Sequence, residues 1–186
     1  DDCIFFVRYK QASWTARYVG GTAESLWAYC DGQATSIPMT SDYKGTSKNP
    51  GIVHFENQSY LLFLSDRSPL HKNAPGPSVF QSGKWRATTM NLWVAALPTK
   101  EALDSKDFVL KPVQLTKSSC MFNGMAVSEY TVDRFSADVL LRIGADLYHL
   151  TGSQVKAAIA EPMKALPTPK LVDIHVLSDF HEQHER

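Results

Sequence analysis

Tyr60-Leu61-Leu62-Phe63-Leu64 is apolar at every position, and this run constrains the fold more than any other feature of the chain. A strand sends successive side chains to opposite faces, so a strand of this composition is apolar above and below. A strand with one solvated face would alternate instead. The run therefore belongs at the centre of a sheet covered on both sides, or under the cover of a partner. Leu92-Trp93-Val94-Ala95-Ala96-Leu97 has the same property. Both runs are far shorter than the ~18 apolar residues of a membrane-spanning helix, so no membrane insertion is expected.

Just before the first run, Val53 and Phe55 alternate with His54, and Glu56-Asn57-Gln58-Ser59 forms a polar break of hairpin-loop length. The same period of two appears at 3–9, 14–20 and 25–30, short aromatic and β-branched segments separated by Gln, Ser, Gly and Thr, as in an antiparallel meander. Residues 41–51, rich in Gly, Ser, Asn and Pro, predict a surface loop. Residues 88–97 predict a strand ended by Pro98, residues 99–107 one helical turn, and Pro112 an edge or bulge. Val139, Leu141 and Ile143 alternate, turn at Gly144-Ala145-Asp146 and return through Leu147–Leu150. Residues 153–162 predict one short helix, with Ser153 as its N-cap and Pro162 as its stop. Val172, Ile174 and Val176 predict a last strand. The expected fold is all-β, a compact antiparallel β-barrel or sandwich with one short helix. It forms a single domain over residues 1–178, with a flexible C-terminal tail over 179–186.

Lys plus Arg and Asp plus Glu both number 19, so no global field favours nucleic acid or a polyanion, and binding is expected to be local. No initiating Met and no leader precede Asp1-Asp2-Cys3, which predicts a segment cut from a longer precursor. Cys3, Cys30 and Cys120 are odd in number and lack Cys-x-x-Cys spacing, so at most one bridge can form. Free, buried thiols are the expectation, with a Cys3–Cys30 bridge between neighbouring strands as the alternative.

Catalytic motifs with strong local signatures are absent: there is no G-x-S-x-G elbow, phosphate-binding loop or zinc helix. His181 and His184 sit in the terminal tail and read as solvated, so neither a metal nor a cofactor is expected. His54, His149 and His175 fall on strand faces, where hydrogen-bonded structural roles outweigh base catalysis. Glu56, Asp66, Asp104 and Glu129 are the carboxylates from which a glycosidase pair would be drawn. Asp66, followed by Arg67, reads first as a strand-end residue paired with Arg or capping a turn, and the chain is expected not to be an enzyme. The 51–66 stretch resembles a propeller-blade hairpin of sugar hydrolases, but the chain is too short for a propeller's four or more blades.

Residues 65–86, with three prolines and no sustained period, form the longest irregular segment, and such segments are usually functional or disordered. Its prolines limit the entropy lost on binding. With Phe80 and Trp85 as anchors, Asp66, Arg67, His71, Lys72 and Asn73 are expected to project as a polar recognition surface, together with Trp85 and Arg86. Trp14, Tyr43 and Tyr130 complete a candidate aromatic rim.

Many short strands, proline-broken loops, one helical insert and a charged tail after Leu171-Val172-Asp173-Ile174-His175-Val176 give a chain that resembles the projecting spike domain of non-enveloped virus capsids. Among these it resembles most the dimeric β-barrel spike of astrovirus capsid proteins, especially avian-type ones. The resemblance implies a virion-surface attachment domain, assembled in the host cytoplasm. It would be a homodimer that binds a host cell-surface protein or glycan, with no nucleic-acid partner. The alternative is a secreted lectin-like or carbohydrate-active domain. Cytoplasmic assembly implies free thiols and an unmodified Asn57-Gln58-Ser59 sequon.

Overall fold

The computed structural model describes residues 3–9, 23–55, 57–68, 71–75, 79–81, 84–86, 90–103, 108–116, 127–162 and 166–174; the side chains of 68, 71–75, 79–81, 84–86 and 100–101 are not described. Its strands are β1 (Cys3–Arg8), β2 (Ser25–Cys30), β3 (Ile37–Pro38), β4 (Ser47–Phe55), β5 (Gln58–Ser65), β6 (Arg67–Ser68), β7 (His71–Pro75), β8 (Val79–Gln81), β9 (Lys84–Arg86) and β10 (Asn91–Ala96). A single helical turn, α1 (Lys100–Leu103), leads to β11 (Val113–Gln114), β12 (Val127–Val132), β13 (Val139–Ile143) and β14 (Asp146–Leu150). Helix α2 (Gly152–Ala160) and β15 (Lys170–Leu171) complete the order.

Three antiparallel sheets form the body, ordered β1-β2-β3, β11-β10-β5-β4 and β12-β13-β14-β15, and none closes into a barrel. The second sheet is the middle layer of an all-β sandwich. Leu62, Leu64, Leu92 and Val94 point to one side, into a core with Val127, Val139, Leu141, Ile143 and Leu150 of the third sheet and Val155 and Ala158 of α2. Leu61, Phe63, Trp93 and Ala95 point to the other, into a core with Leu26, Ala28 and Cys30 of β2, Met39, Leu103 and Leu110. The two-faced runs thus sit on the central strands β5 and β10, as their composition requires. The chain's own outer sheets cover both faces, so this composition no longer argues for a dimeric partner.

Phe55 pairs with Gln58, so the expected four-residue break shortens to the two-residue turn Glu56-Asn57; Glu56 lies outside the described residues. Asn57 has φ 58°, the left-handed region that tight hairpin turns require and Asn tolerates. Residues 47–50, expected in a loop, begin β4 instead, and a register shift between Lys48 and Gly51 accommodates Asn49 at φ 53°. Tyr130 Oη lies 2.6 Å from Asn49 O and 2.8 Å from Leu62 O, tying the third sheet to this bulge. A side chain at Gly51 would begin 2.9 Å from Tyr130 Oη, so glycine permits the approach.

The 139–150 hairpin, the α1 turn and the edge position of β11 beside Pro112 match the sequence expectation. Helix α2 is capped by Thr151 in place of Ser153: Thr151 accepts from Gln154 N, and Gln154 Oε1 accepts from Thr151 N at 2.9 Å, a capping box. The last strand is only β15; Val172–Ile174 carry no strand, Ile174 is exposed, and Val176 lies outside the described residues. Residues 65–86 are less irregular than expected, since two short ladders, β6-β7 and β8-β9, run through them. The expected strand at 14–20 and the tail at 179–186 lie outside the described residues.

Candidate functional site

Cys3 and Cys30, opposite one another in the β1–β2 register, are joined by a disulfide. This corrects the expectation of three free thiols: antiparallel pairing sets the two side chains on one face of neighbouring strands, within bonding reach. Cys120 lies outside the described residues.

Of the residues expected to project from 65–86, Asp66 and Arg67 do the opposite. They are 5% and 8% exposed. Asp66 Oδ1 accepts from Tyr43 Oη at 2.7 Å and from Thr46 N at 2.9 Å, fastening the 40–47 loop to the end of β5. Burial raises the Asp66 carboxyl above its ordinary value, against the hydrogen bonds from Tyr43 and Thr46 and the charge of Arg67. Burial also raises the Tyr43 hydroxyl, and Asp66 adds to the effect. The Arg67 guanidinium lies 4.8 Å from the Tyr43 ring centre, 5.3 Å from Phe63 and 5.8 Å from Trp93, an aromatic setting that cations favour. Its ion pair is with Asp42, at 3.6 Å. Burial lowers the Arg67 pKa, with Asp42, Tyr43 and Asp66 opposing the shift.

These charges are inside because their partners come from a loop more than twenty residues earlier, which residue-by-residue polarity does not reveal. A strand-end Asp fixing a turn was the first sequence reading, and the geometry agrees with it. His71, Lys72 and Asn73 fall on β7, Trp85 and Arg86 on β9, and their side chains lie outside the described residues, as do Trp14, Glu56, Asp104, His175, His181 and His184. Tyr43 and Tyr130 turn inward from the candidate rim, Tyr43 being 5% exposed and Tyr130 half-buried over the β4 bulge. His54 is held by Ser59 Oγ at 2.8 Å from Nδ1 and by Arg134 at 3.3 Å from Nε2. Glu129 pairs with Arg142 on the exposed face of the third sheet.

Clefts open on the described surface on both sides of the middle sheet. One, of about 340 Å³, brings Asp133, Asp138 and His149 together between β12, β13 and β14. Their carboxylates already serve the fold. Asp133 Oδ1 accepts from the N–H groups of Ser136 and Phe135, which hold its carboxyl below the usual range. Asp138 Oδ1 accepts from Gly152 N at the start of α2, and its Oδ2 lies 3.9 Å from His149 Nε2. Among the described residues no group of three His, Cys, Asp or Glu side chains is placed to hold a metal ion. No helix among them is long and apolar enough to cross a membrane.

The other cleft, of about 460 Å³, lies between the 32–41 loop and the α1 region, and Gln33, Thr35, Ser36, Ser41, Ile37 and Phe108 line it. Hydroxyls and an amide line it together with an aromatic ring, and among the described residues no Lys, Arg, Asp or Glu belongs to the lining. The loop is anchored at its base: Gln33 N donates to Cys30 O at 3.1 Å, Cys30 N donates to Gln33 Oε1 at 3.0 Å, and Cys30 is itself tied to β1. Residues 31–40 carry no motif in the sequence: Asp31-Gly32 is a turn signal, and small hydroxylic residues are ordinary loop composition. Their one legible mark was a density of uncharged hydrogen-bonding side chains between two apolar segments.

No family model, no curated protein and no solved structure matches this chain.

Proposed function

We propose that this chain is a non-enzymatic surface-recognition domain that binds an uncharged glycan in the cleft between the 32–41 loop and Phe108. The observation that carries this reading is the lining itself. A neutral sugar presents a ring of hydroxyls beside apolar C–H patches, and the cleft opposes Gln33, Thr35, Ser36 and Ser41 to the Phe108 ring. Its volume falls in the range of small-ligand sites, ~300–1,000 Å³. A rigid base lowers the ordering cost of binding, and the Cys30 disulfide together with Gln33 supplies one.

The setting is outside the reducing interior of the cell, because disulfides persist in secreted proteins and on cell and virion surfaces. That supports the secreted, lectin-like alternative over a capsid spike assembled in the host cytoplasm. The host-receptor role implied by the spike resemblance is a version of the same activity, glycan attachment at an exposed surface. The test is a glycan array run beside a turnover screen with chromogenic glycosides. Binding to neutral glycans without turnover is expected, and it should weaken in the Thr35→Ala/Ser36→Ala double variant at unchanged melting temperature and in Phe108→Ala, where lost packing against the core also lowers the melting temperature. Turnover, or selection of charged glycans alone, would overturn the proposal.

A further inference from the structure

The chain contains a single Asn-x-Ser/Thr sequon, Asn57-Gln58-Ser59, and the fold puts it at the β4–β5 turn. Asn57 is exposed and at φ 58°, so its amide stands at the tip of the hairpin, clear of the strands. Ser59, the second residue of β5, is half-buried, with its Oγ 2.8 Å from His54 Nδ1. A bulky substituent on Asn57 therefore meets solvent, whereas one on either flanking strand would meet the covering sheets. The turn also ends β4, which is an edge of the middle sheet, and exposed sheet edges are sites where chains pair wrongly unless something blocks them.

A second, independent observation concerns the compartment. The Cys3–Cys30 disulfide belongs to the oxidising secretory route, and sequons are modified on that same route. We propose that Asn57 is an N-glycosylation site. In the reaction Asn57 Nδ2 attacks the anomeric carbon of a polyprenyl-diphosphate oligosaccharide. The new N–C bond replaces the C–O bond to the diphosphate, the amide nitrogen loses one proton, and polyprenyl diphosphate leaves. The glycan stands at the end of β4 and β5 opposite to Ser47 and Ser65, where it caps the edge of the middle layer. This inference rests on the disulfide and the turn, and not on what the 32–41 cleft binds.

The experiment is peptide mapping by mass spectrometry of protein made through a eukaryotic secretory pathway, before and after treatment with an amide-cleaving glycosidase. The expected result is one oligosaccharide on the Asn57 peptide and its conversion to Asp on release. Asn57→Gly keeps the positive φ and should fold without the glycan, while Ser59→Thr should keep the glycan. Unmodified Asn57 in protein whose Cys3–Cys30 bond is intact would overturn the proposal. So would a folded, secreted chain with both cysteines free, since the compartment argument would then fail. Cleft binding is measured separately on the enzymatically deglycosylated protein, so either reading can fail alone.

Discussion

The two faces of the middle sheet are closed by different means. Toward the third sheet, aliphatic side chains of β5, β10, β13 and β14 meet Val155 and Ala158 of a capped helix, and the Tyr130 hydroxyl donates to the backbone carbonyls of Asn49 and Leu62 at the β4 bulge. Toward the first sheet, the core has fewer aliphatics among the described residues. It is completed by Trp93, Phe63, the enclosed Arg67 and a disulfide, and beside it lies the larger cleft. The cleft on the third-sheet side is the smaller of the two described, and its carboxylates Asp133 and Asp138 are already bound to backbone N–H groups. A face held partly by a covalent tie and a polar cluster can stay open at its rim and remain ordered. That is why recognition is assigned to the disulfide side.

Core truncations give the largest expected effect. Leu62 and Leu61 are neighbours in β5, both fully buried, and point to opposite faces. Leu62→Ala and Leu61→Ala should each cost about 2–5 kcal/mol in denaturant unfolding. Reduction should combine non-additively with Leu61→Ala, because the disulfide and Leu61 serve the same core. It should add independently in Leu62→Ala. Equal coupling in both variants would remove the distinction between the faces.

Loss of the disulfide comes next. The bonded cysteines are 27 residues apart, and removing such a bridge costs about 2–4 kcal/mol. Cys3→Ser/Cys30→Ser should unfold at correspondingly lower denaturant. Hydrogen exchange should rise in residues 25–41 while β12–β14 stay protected, and uniform exchange across the three sheets would contradict the layered account.

On the opposite face, Gly152 plays a comparable part. A Cβ there would collide with the backbone carbonyl of Ser136, in the turn that α2 rests on. Gly152→Ala should cost about 1–3 kcal/mol through overpacking, seen as a lower melting temperature with no change in reductant sensitivity.

The smallest effect is a pH dependence at the polar cluster. Because burial raises the folded-state pKa of Asp66 above its unfolded value, protonation favours the fold. That contribution is fully present below the ordinary carboxylate range and is lost as pH rises through the folded-state value. Asp66→Asn cannot ionise. The wild type should therefore lose stability relative to Asp66→Asn between acid and neutral pH, and parallel melting curves would show that Asp66 is not buried as described.

The layers were legible where composition speaks for both faces of a strand. Leu61–Leu64 and Leu92–Ala95 had to be covered on both faces, and the chain's own outer sheets supply the cover; Pro112 and Pro162 mark an edge and a helix end because each lacks a backbone donor. Strand Ser47–Phe55 was hidden in its first half, since Asn49, Pro50 and Gly51 are turn residues that here serve a bulge held by Tyr130, eighty residues on. β12 was missed because its pattern is mostly exposed and polar. At the site, the inversion of Asp66 and Arg67 depends on Asp42 and Tyr43. The cleft depends on bringing Ser36 and Ser41 to Phe108, a juxtaposition of distant segments that local chemistry does not encode.

Assigning recognition to the disulfide side is tested most directly by backbone amide NMR of the isotope-labelled protein, titrated with a neutral glycan selected from the array. Saturable shifts are predicted at Gly32, Gln33, Thr35, Ser36, Ser41 and Phe108, which line or border the larger cleft. Shifts confined to Asp133, Asp138, Leu140 and His149 on the opposite face, or no saturable shift in either cleft, would contradict the account.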